Sequence, residues 1–325
     1  MNRLLSKRLL AAVLAAFLGF LGLLPPLAVT AQAQTQGGAD AGDICDGTLC
    51  TLRGANGGTF YVALPEAWDG KAPLKPFVFF HGHNGSGEGV MRNRGLIKQV
   101  TERGYALIAP DGPLFRFSGR SVRGWAARVE PGSPHQSRGG RDDIAFVERV
   151  LGALSQVFPV QDDSTIVTGF SSGGSMAWYL ACYSRAPVHL YAPVAGGLRR
   201  PLPVKGVRNA VDPERRLDGS LARTCPAGPQ RLLHIHGFSD RQVPLEGRGI
   251  RSWHQGDVFE GLDALRNTNA CGSRPTRVET DGPLWCRTWD GCGSEKEIAF
   301  CLHAGGHGMP NGWLDAVFEA VKAPN

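Results

Sequence analysis

From residue 59 onward, short apolar runs alternate with stretches whose apolar residues recur every three or four positions. The runs Thr59–Leu64, Phe77–Phe80, Ala106–Ala109, Thr165–Thr168, Leu190–Val194, Leu232–Ile235 and Ile298–Leu302 have strand length and strand composition. Between them, the spacing predicts helices over Gly89–Glu102, Asp142–Gln156, Gly174–Tyr183, Val258–Asn267 and Gly312–Val321. Strand and helix in turn predict an α/β protein with a mostly parallel, doubly wound sheet covered on both faces. Residues 113–139, rich in Arg, Gly and Ser, read as one long surface loop. No internal repeat and no second domain is visible.

The N-terminus follows a different pattern. Arg3, Lys7 and Arg8 precede an apolar run from Leu9 to Leu24, Pro25 and Pro26 interrupt it, and Ala31-Gln32-Ala33 follows. Charge, apolar segment and small-x-small site in that order describe a secretory signal peptide over residues 1–33. The run nearly spans a bilayer, so an uncleaved anchor is the competing reading, and the proline pair argues against it. A polar, Gly-rich lead-in over residues 34–44 then precedes a single folded domain over 45–325. Loss of the signal removes three of the 35 basic residues and none of the 29 acidic ones, so the net charge falls from +6 to +3. That excess is too small and dispersed for a nucleic-acid partner. A secreted or periplasmic chain with no membrane attachment after cleavage is expected, and a monomer.

All eight cysteines lie beyond the signal. An even number in an exported chain reads as disulfides, and no pair shows the Cys-x2-Cys spacing that zinc sites favour. Cys45–Cys50 would close a short loop. Cys286 and Cys301 would face each other across a hairpin turning near residues 293–294, which leaves Cys271–Cys292 and Cys182–Cys225.

Chemistry enters at Gly169-Phe170-Ser171-Ser172-Gly173-Gly174, between the strand signal Thr165–Thr168 and the helix signal that follows. Strand, Gly-x-Ser-x-Gly, helix is a nucleophile elbow. The serine occupies a strained turn, and residues two before and two after it must lack side chains. Ser171 is therefore the candidate nucleophile. Ser172 would require Phe170 where the turn needs glycine. The backbone N–H of Ser172, opening the helix, is one candidate donor to an oxyanion.

A serine hydroxyl needs a base, and the base needs an acid to orient it. Asp240 falls in a loop after the strand Leu232–Ile235, and His307 falls in the Gly-rich loop Ala304–Pro310 after the last strand. Both follow the serine, in the order acid then histidine. Asp257 and Asp263 read as a helix cap and a solvated helix residue. His234 and His303 lie within strands as packing or hydrogen-bonded groups, and His236 lies nearer the loop but precedes the acid. The second oxyanion donor is expected from His81–Gly87, with the backbone N–H of His83 first and Asn84 second. Asp142 and Asp143 read as helix caps. Phe115, Trp125, Trp178 and Trp313 are either pocket walls or core.

Taken together, Gly169–Ala177, His236-Gly-x-x-Asp240 with Val243-Pro244, the Gly305-Gly-His307 loop, Asp142–Val147 and the pair Cys271 and Cys292 resemble the extracellular polyhydroxybutyrate depolymerase and feruloyl/acetylxylan esterase superfamily. The resemblance covers residues 45–322. It implies an α/β-hydrolase fold and a secreted carboxylic ester hydrolase with Ser171, Asp240 and His307 as triad and no cofactor. Polyhydroxyalkanoate-type polyesters or their oligomers are the first substrate class it implies, and plant cell-wall feruloyl or acetylxylan esters the second. A serine peptidase and a non-catalytic binding relative are the distant alternatives. The chain departs from the family where Met309 stands in place of the tryptophan that usually follows the histidine, and no separate polymer-binding domain is expected.

Overall fold

A computed structural model describes residues 44–54, 58–117, 119–125, 141–198, 200–201, 223–250, 253–280 and 282–322. The expected signal peptide, the lead-in up to residue 43 and residues 126–139 of the Arg/Gly/Ser-rich segment lie outside the described residues. Ile44, the last residue of the expected lead-in over 34–44, is also the first residue of a strand.

Among the described residues, the strands of the main sheet are β1 (Ile44–Asp46), β2 (Leu49–Gly54), β3 (Gly58–Ala63), β4 (Lys75–Phe80) and β5 (Tyr105–Pro110). A separate hairpin pairs β6 (Leu114–Phe117) with β7 (Arg120–Arg123). The main sheet resumes with β8 (Ile166–Phe170) and β9 (Leu190–Val194). β10 (Arg200–Pro201), β12 (Gly249–Ile250) and β13 (Trp253–His254) form a small ribbon, whereas β11 (Leu232–Gly237), β14 (Arg277–Glu279), β15 (Trp285–Trp289) and β16 (Ile298–His303) belong to the main sheet. Its strand order is β1-β2-β3-β5-β4-β8-β9-β11-β16-β15-β14. The run from β5 to β16 is parallel, and antiparallel strands flank it on each side.

The helices are α1 (Gly87–Met91), α2 (Arg94–Thr101), α3 (Asp143–Val157), α4 (Ser172–Tyr183), α5 (Val258–Thr268) and α6 (Trp313–Lys322). Side chains alternate across β4: Val78 and Phe80 join the core under α3, α4 and α5, while Phe77 and Phe79 join the core under α1, α2 and α6. Helix α4 is buried at nearly every position, as expected of a helix apolar all round.

Two sequence expectations change. The helix expected over Gly89–Glu102 is two, because the Asn93 side chain accepts from the Leu96 N–H and starts α2 afresh. The expected loop over 113–139 begins instead as the β6–β7 hairpin. Disulfides join Cys45 to Cys50, Cys182 to Cys225, Cys271 to Cys292 and Cys286 to Cys301. Cys286 and Cys301 are directly opposed in the β15–β16 ladder.

Candidate active site

Strand β8 ends at Phe170, and Ser171 turns the chain with φ of 58°. That left-handed conformation is strained for a side-chain-bearing residue and is held from both sides. The Ser171 N–H donates to the Val194 carbonyl of β9 at 3.0 Å, and the Ser171 carbonyl accepts from the Ser175 N–H at 2.9 Å as α4 begins. The elbow glycines are steric requirements. A Cβ on Gly173 would stand 2.0 Å from the Phe80 carbonyl oxygen, and one on Gly169 would stand 2.6 Å from the Gly173 carbonyl group. Ser172 is buried. As the first residue of α4 it has no intrahelical acceptor for its N–H.

The acid and base loops leave adjacent parallel strands, since Gly237 of β11 stands beside His303 of β16. They are laced together beyond the sheet. The Phe238 N–H donates to the His303 carbonyl at 2.8 Å, and the Ser239 N–H to the Gly305 carbonyl at 3.0 Å. Gly237 allows this approach, because a Cβ there would lie 2.1 Å from the Gly306 carbonyl oxygen.

Asp240 accepts at both oxygens. Its Oδ1 takes the N–H groups of Gln242 at 2.8 Å and Val243 at 2.9 Å, and its Oδ2 lies 2.8 Å from His307 Nδ1 and 3.3 Å from His236 Nε2. Burial pushes this carboxyl upward, but hydrogen bonds from His236, Val243, His307 and Gln242 outweigh it and hold Asp240 well below the usual carboxylate range. A carboxylate only accepts, so His307 presents Nδ1–H to it and keeps the Nε2 lone pair. That lone pair faces Ser171 Oγ at 2.9 Å. Acid, imidazole and hydroxyl therefore form a continuous hydrogen-bonded line, in the orientation that draws a proton from the serine.

The loop after β4 passes beside Ser171: a Cβ on Gly82 would lie 3.7 Å from Ser171 Cβ. Its shape depends on His81, which donates from Nδ1 to the Gly82 carbonyl at 2.8 Å and accepts at Nε2 from the Gly112 N–H at 3.0 Å. Burial lowers the pKa of His81. Trp125 donates to the His81 carbonyl at 2.9 Å. Of the two second-donor candidates, Asn84 donates its N–H to the Arg123 carbonyl at 2.8 Å.

The other sequence candidates separate cleanly. Asp142 and Asp257 cap α3 and α5, Asp143 is a buried partner of Arg141, and Asp263 pairs with Arg266 on the surface. Trp125 and Trp178 lie in the core rather than on a pocket wall. Trp313 packs on Phe79, and Phe115 lies 6.4 Å from the His83 ring. His236 is within β11 rather than near the loop, fully buried, and reaches Asp240. Order along the chain excluded it as base and left that contact unseen. Among the described residues no group of three His, Cys, Asp or Glu side chains could hold a metal, and no helix is long and apolar enough to cross a membrane.

No family model matches the chain. Feruloyl esterase C of Emericella nidulans is 24% identical over 265 residues, which cover 79% of this chain and 79% of that protein. Feruloyl esterase D of Neurospora crassa is 24% identical over 300 residues, covering 86% of this chain and 84% of its own. Among solved structures, the acetyl xylan esterase from Aspergillus awamori superposes with a TM-score of 0.54 at 18% identity, over 85% of this chain and 99% of its own. Strand order, elbow and this structural likeness together establish that the chain has the α/β-hydrolase fold.

Proposed function

We propose that the chain is an exported serine carboxylic-ester hydrolase that cleaves feruloyl or acetyl esters of the plant cell-wall type. The observation that carries this reading is the Asp240–His307–Ser171 line on a strained elbow. In this mechanism Ser171 Oγ attacks the ester carbonyl while His307 Nε2 takes its proton. Asp240 holds the imidazole in the required tautomer and stabilises its charged form. The N–H groups of Ser172 and His83 receive the oxyanion; one such donor is worth roughly 3 kcal/mol. His307 then protonates the leaving alcohol, and water repeats the sequence on the acyl-enzyme.

The relatives favour aryl esters over the polyhydroxyalkanoates that the sequence motifs put first, since two that match over most of their length are feruloyl esterases. Four disulfides agree with folding in an oxidising compartment after export. The test is hydrolysis of p-nitrophenyl acyl esters, methyl ferulate, acetylated xylan and hydroxybutyrate oligomers by wild type and Ser171→Ala. Turnover of ferulate or acetyl esters, abolished in Ser171→Ala, is expected. Turnover confined to hydroxybutyrate oligomers would restore the polyester reading, and equal inactivity of both proteins on every ester would remove the enzyme reading.

A further inference from the structure

Two fully buried histidines behind the acid loop take no part in the mechanism above. His234 and His236 lie two residues apart on β11 and face the same side. Trp178 of α4 donates its indole N–H to His234 Nδ1 at 2.8 Å, His234 Nε2 lies 3.0 Å from His236 Nδ1, and His236 Nε2 lies 2.7 Å from the Val243 carbonyl. An indole can only donate and a carbonyl can only accept, so the direction of every bond is fixed. Each imidazole carries its proton on Nε2, and each Nδ1 accepts. The line starts on the helix that opens at the nucleophile and ends on the loop that carries the acid. Burial, and the neighbouring His236, hold His234 well below its ordinary pKa, as this pattern of donors requires.

We propose that His236, oriented by His234 and Trp178, is a positioning residue that fixes the Asp240 carboxylate relative to the nucleophile. Imidazoles in a central strand are costly to bury unless fully paired, and both are paired at both nitrogens. The same His236 N–H that holds the Val243 carbonyl stands 3.3 Å from Asp240 Oδ2, the oxygen that receives His307. With Oδ1 pinned by the Gln242 and Val243 N–H groups and the His236 N–H 3.3 Å from Oδ2, the carboxylate is held against turning Oδ2 away from His307. The proposal rests on the esterase reading, and its test separates the two.

Steady-state hydrolysis of p-nitrophenyl acetate is compared for wild type, Ser171→Ala, His236→Leu and His236→Gln, each normalised to sites titrated with a fluorophosphonate where Ser171 is present. His236→Leu is expected to lower kcat about 100-fold, the cost of roughly 1 Å of misplacement, with KM within twofold of wild type. His236→Gln keeps an N–H donor at the reach of Nε2 and is expected to recover kcat to within tenfold. Nitrogen-15 spectra of the wild-type histidine rings supply a readout independent of any variant's folding, with two buried rings expected as Nε2–H tautomers. A His236→Leu kcat within threefold of wild type, a loss confined to KM, or an Nδ1–H tautomer at either ring would overturn the proposal while leaving the esterase reading intact. Undiminished turnover in Ser171→Ala would overturn that reading, and this one with it.

Discussion

Replacing Asp240 by asparagine changes one atom, and the surroundings dictate its placement. The Gln242 and Val243 N–H groups both point at Oδ1, so the amide oxygen of asparagine must take that position and its NH2 must occupy the place of Oδ2. The NH2 then faces His307 Nδ1 at about the present 2.8 Å, and two donors cannot share a hydrogen bond. The imidazole responds by moving its proton to Nε2, where it points at Ser171 Oγ and can no longer accept from it. The acid loop keeps its turn, so the folded structure is preserved while the base is in the wrong tautomer. A loss of about 10⁴ in kcat is expected, equivalent to about 5.4 kcal/mol of transition-state stabilisation. The assay is ester turnover by Asp240→Asn, with near-ultraviolet circular dichroism and Tm compared with wild type. A folded variant within tenfold of wild-type kcat would refute the tautomer argument and make Asp240 a structural residue.

Other sites give sharp expectations. Gly173→Ala places a methyl group against the Phe80 carbonyl oxygen, backbone that cannot yield, so soluble protein with normal turnover would contradict the elbow packing. Removing the Cys182–Cys225 bridge as a double serine variant releases a loop with a sequence separation of 43 residues, and guanidinium unfolding should show a loss of about 4 kcal/mol. Asn269 is fully buried, accepts from the Gln230 N–H and donates to the carbonyls of Gln230 and Lys296; Asn269→Ala should cost about 3 kcal/mol of stability with kcat unchanged, and altered kcat would link it to the site. Because the Asp240 pKa is depressed on folding, its stabilisation is complete above its unfolded value of about 3.9 and fades as pH falls below that. Unfolding midpoints should therefore drop below about pH 4, less steeply in Asp240→Asn, and identical slopes would count against the depressed pKa.

The central strands and their helices were legible because burial on both faces leaves unbroken apolar runs. Leu190–Val194 has the same bounds in sequence and structure. The edges were not, because an edge strand need not be apolar: β14 is exposed at each of its three residues. The break between α1 and α2 had a local signal in Asn93, masked by an apolar periodicity that continues across it. For the site, the positions of Ser171, Asp240 and His307 at strand ends were readable from order and punctuation, and their mutual distances were not. The Trp178–His236 line was invisible, since it joins residues 58 positions apart through contacts that only the β11–α4 packing creates. The bond from the Asn84 N–H to the Arg123 carbonyl was likewise not readable from the sequence.

The line from Ser171 to His307 bridges 136 positions of chain, and β9 separates the strand that ends at the serine from the strand that ends at the acid loop. A polypeptide emerging from the ribosome therefore carries its serine long before it carries a base, and a chain held extended cannot bring the two together. Contacts so far apart in sequence slow folding, so on the proposed reading the serine gains its base late in folding. On the proposed reading, the hydroxyl stays chemically ordinary until β16 has docked beside β11 and brought the His307 loop to it.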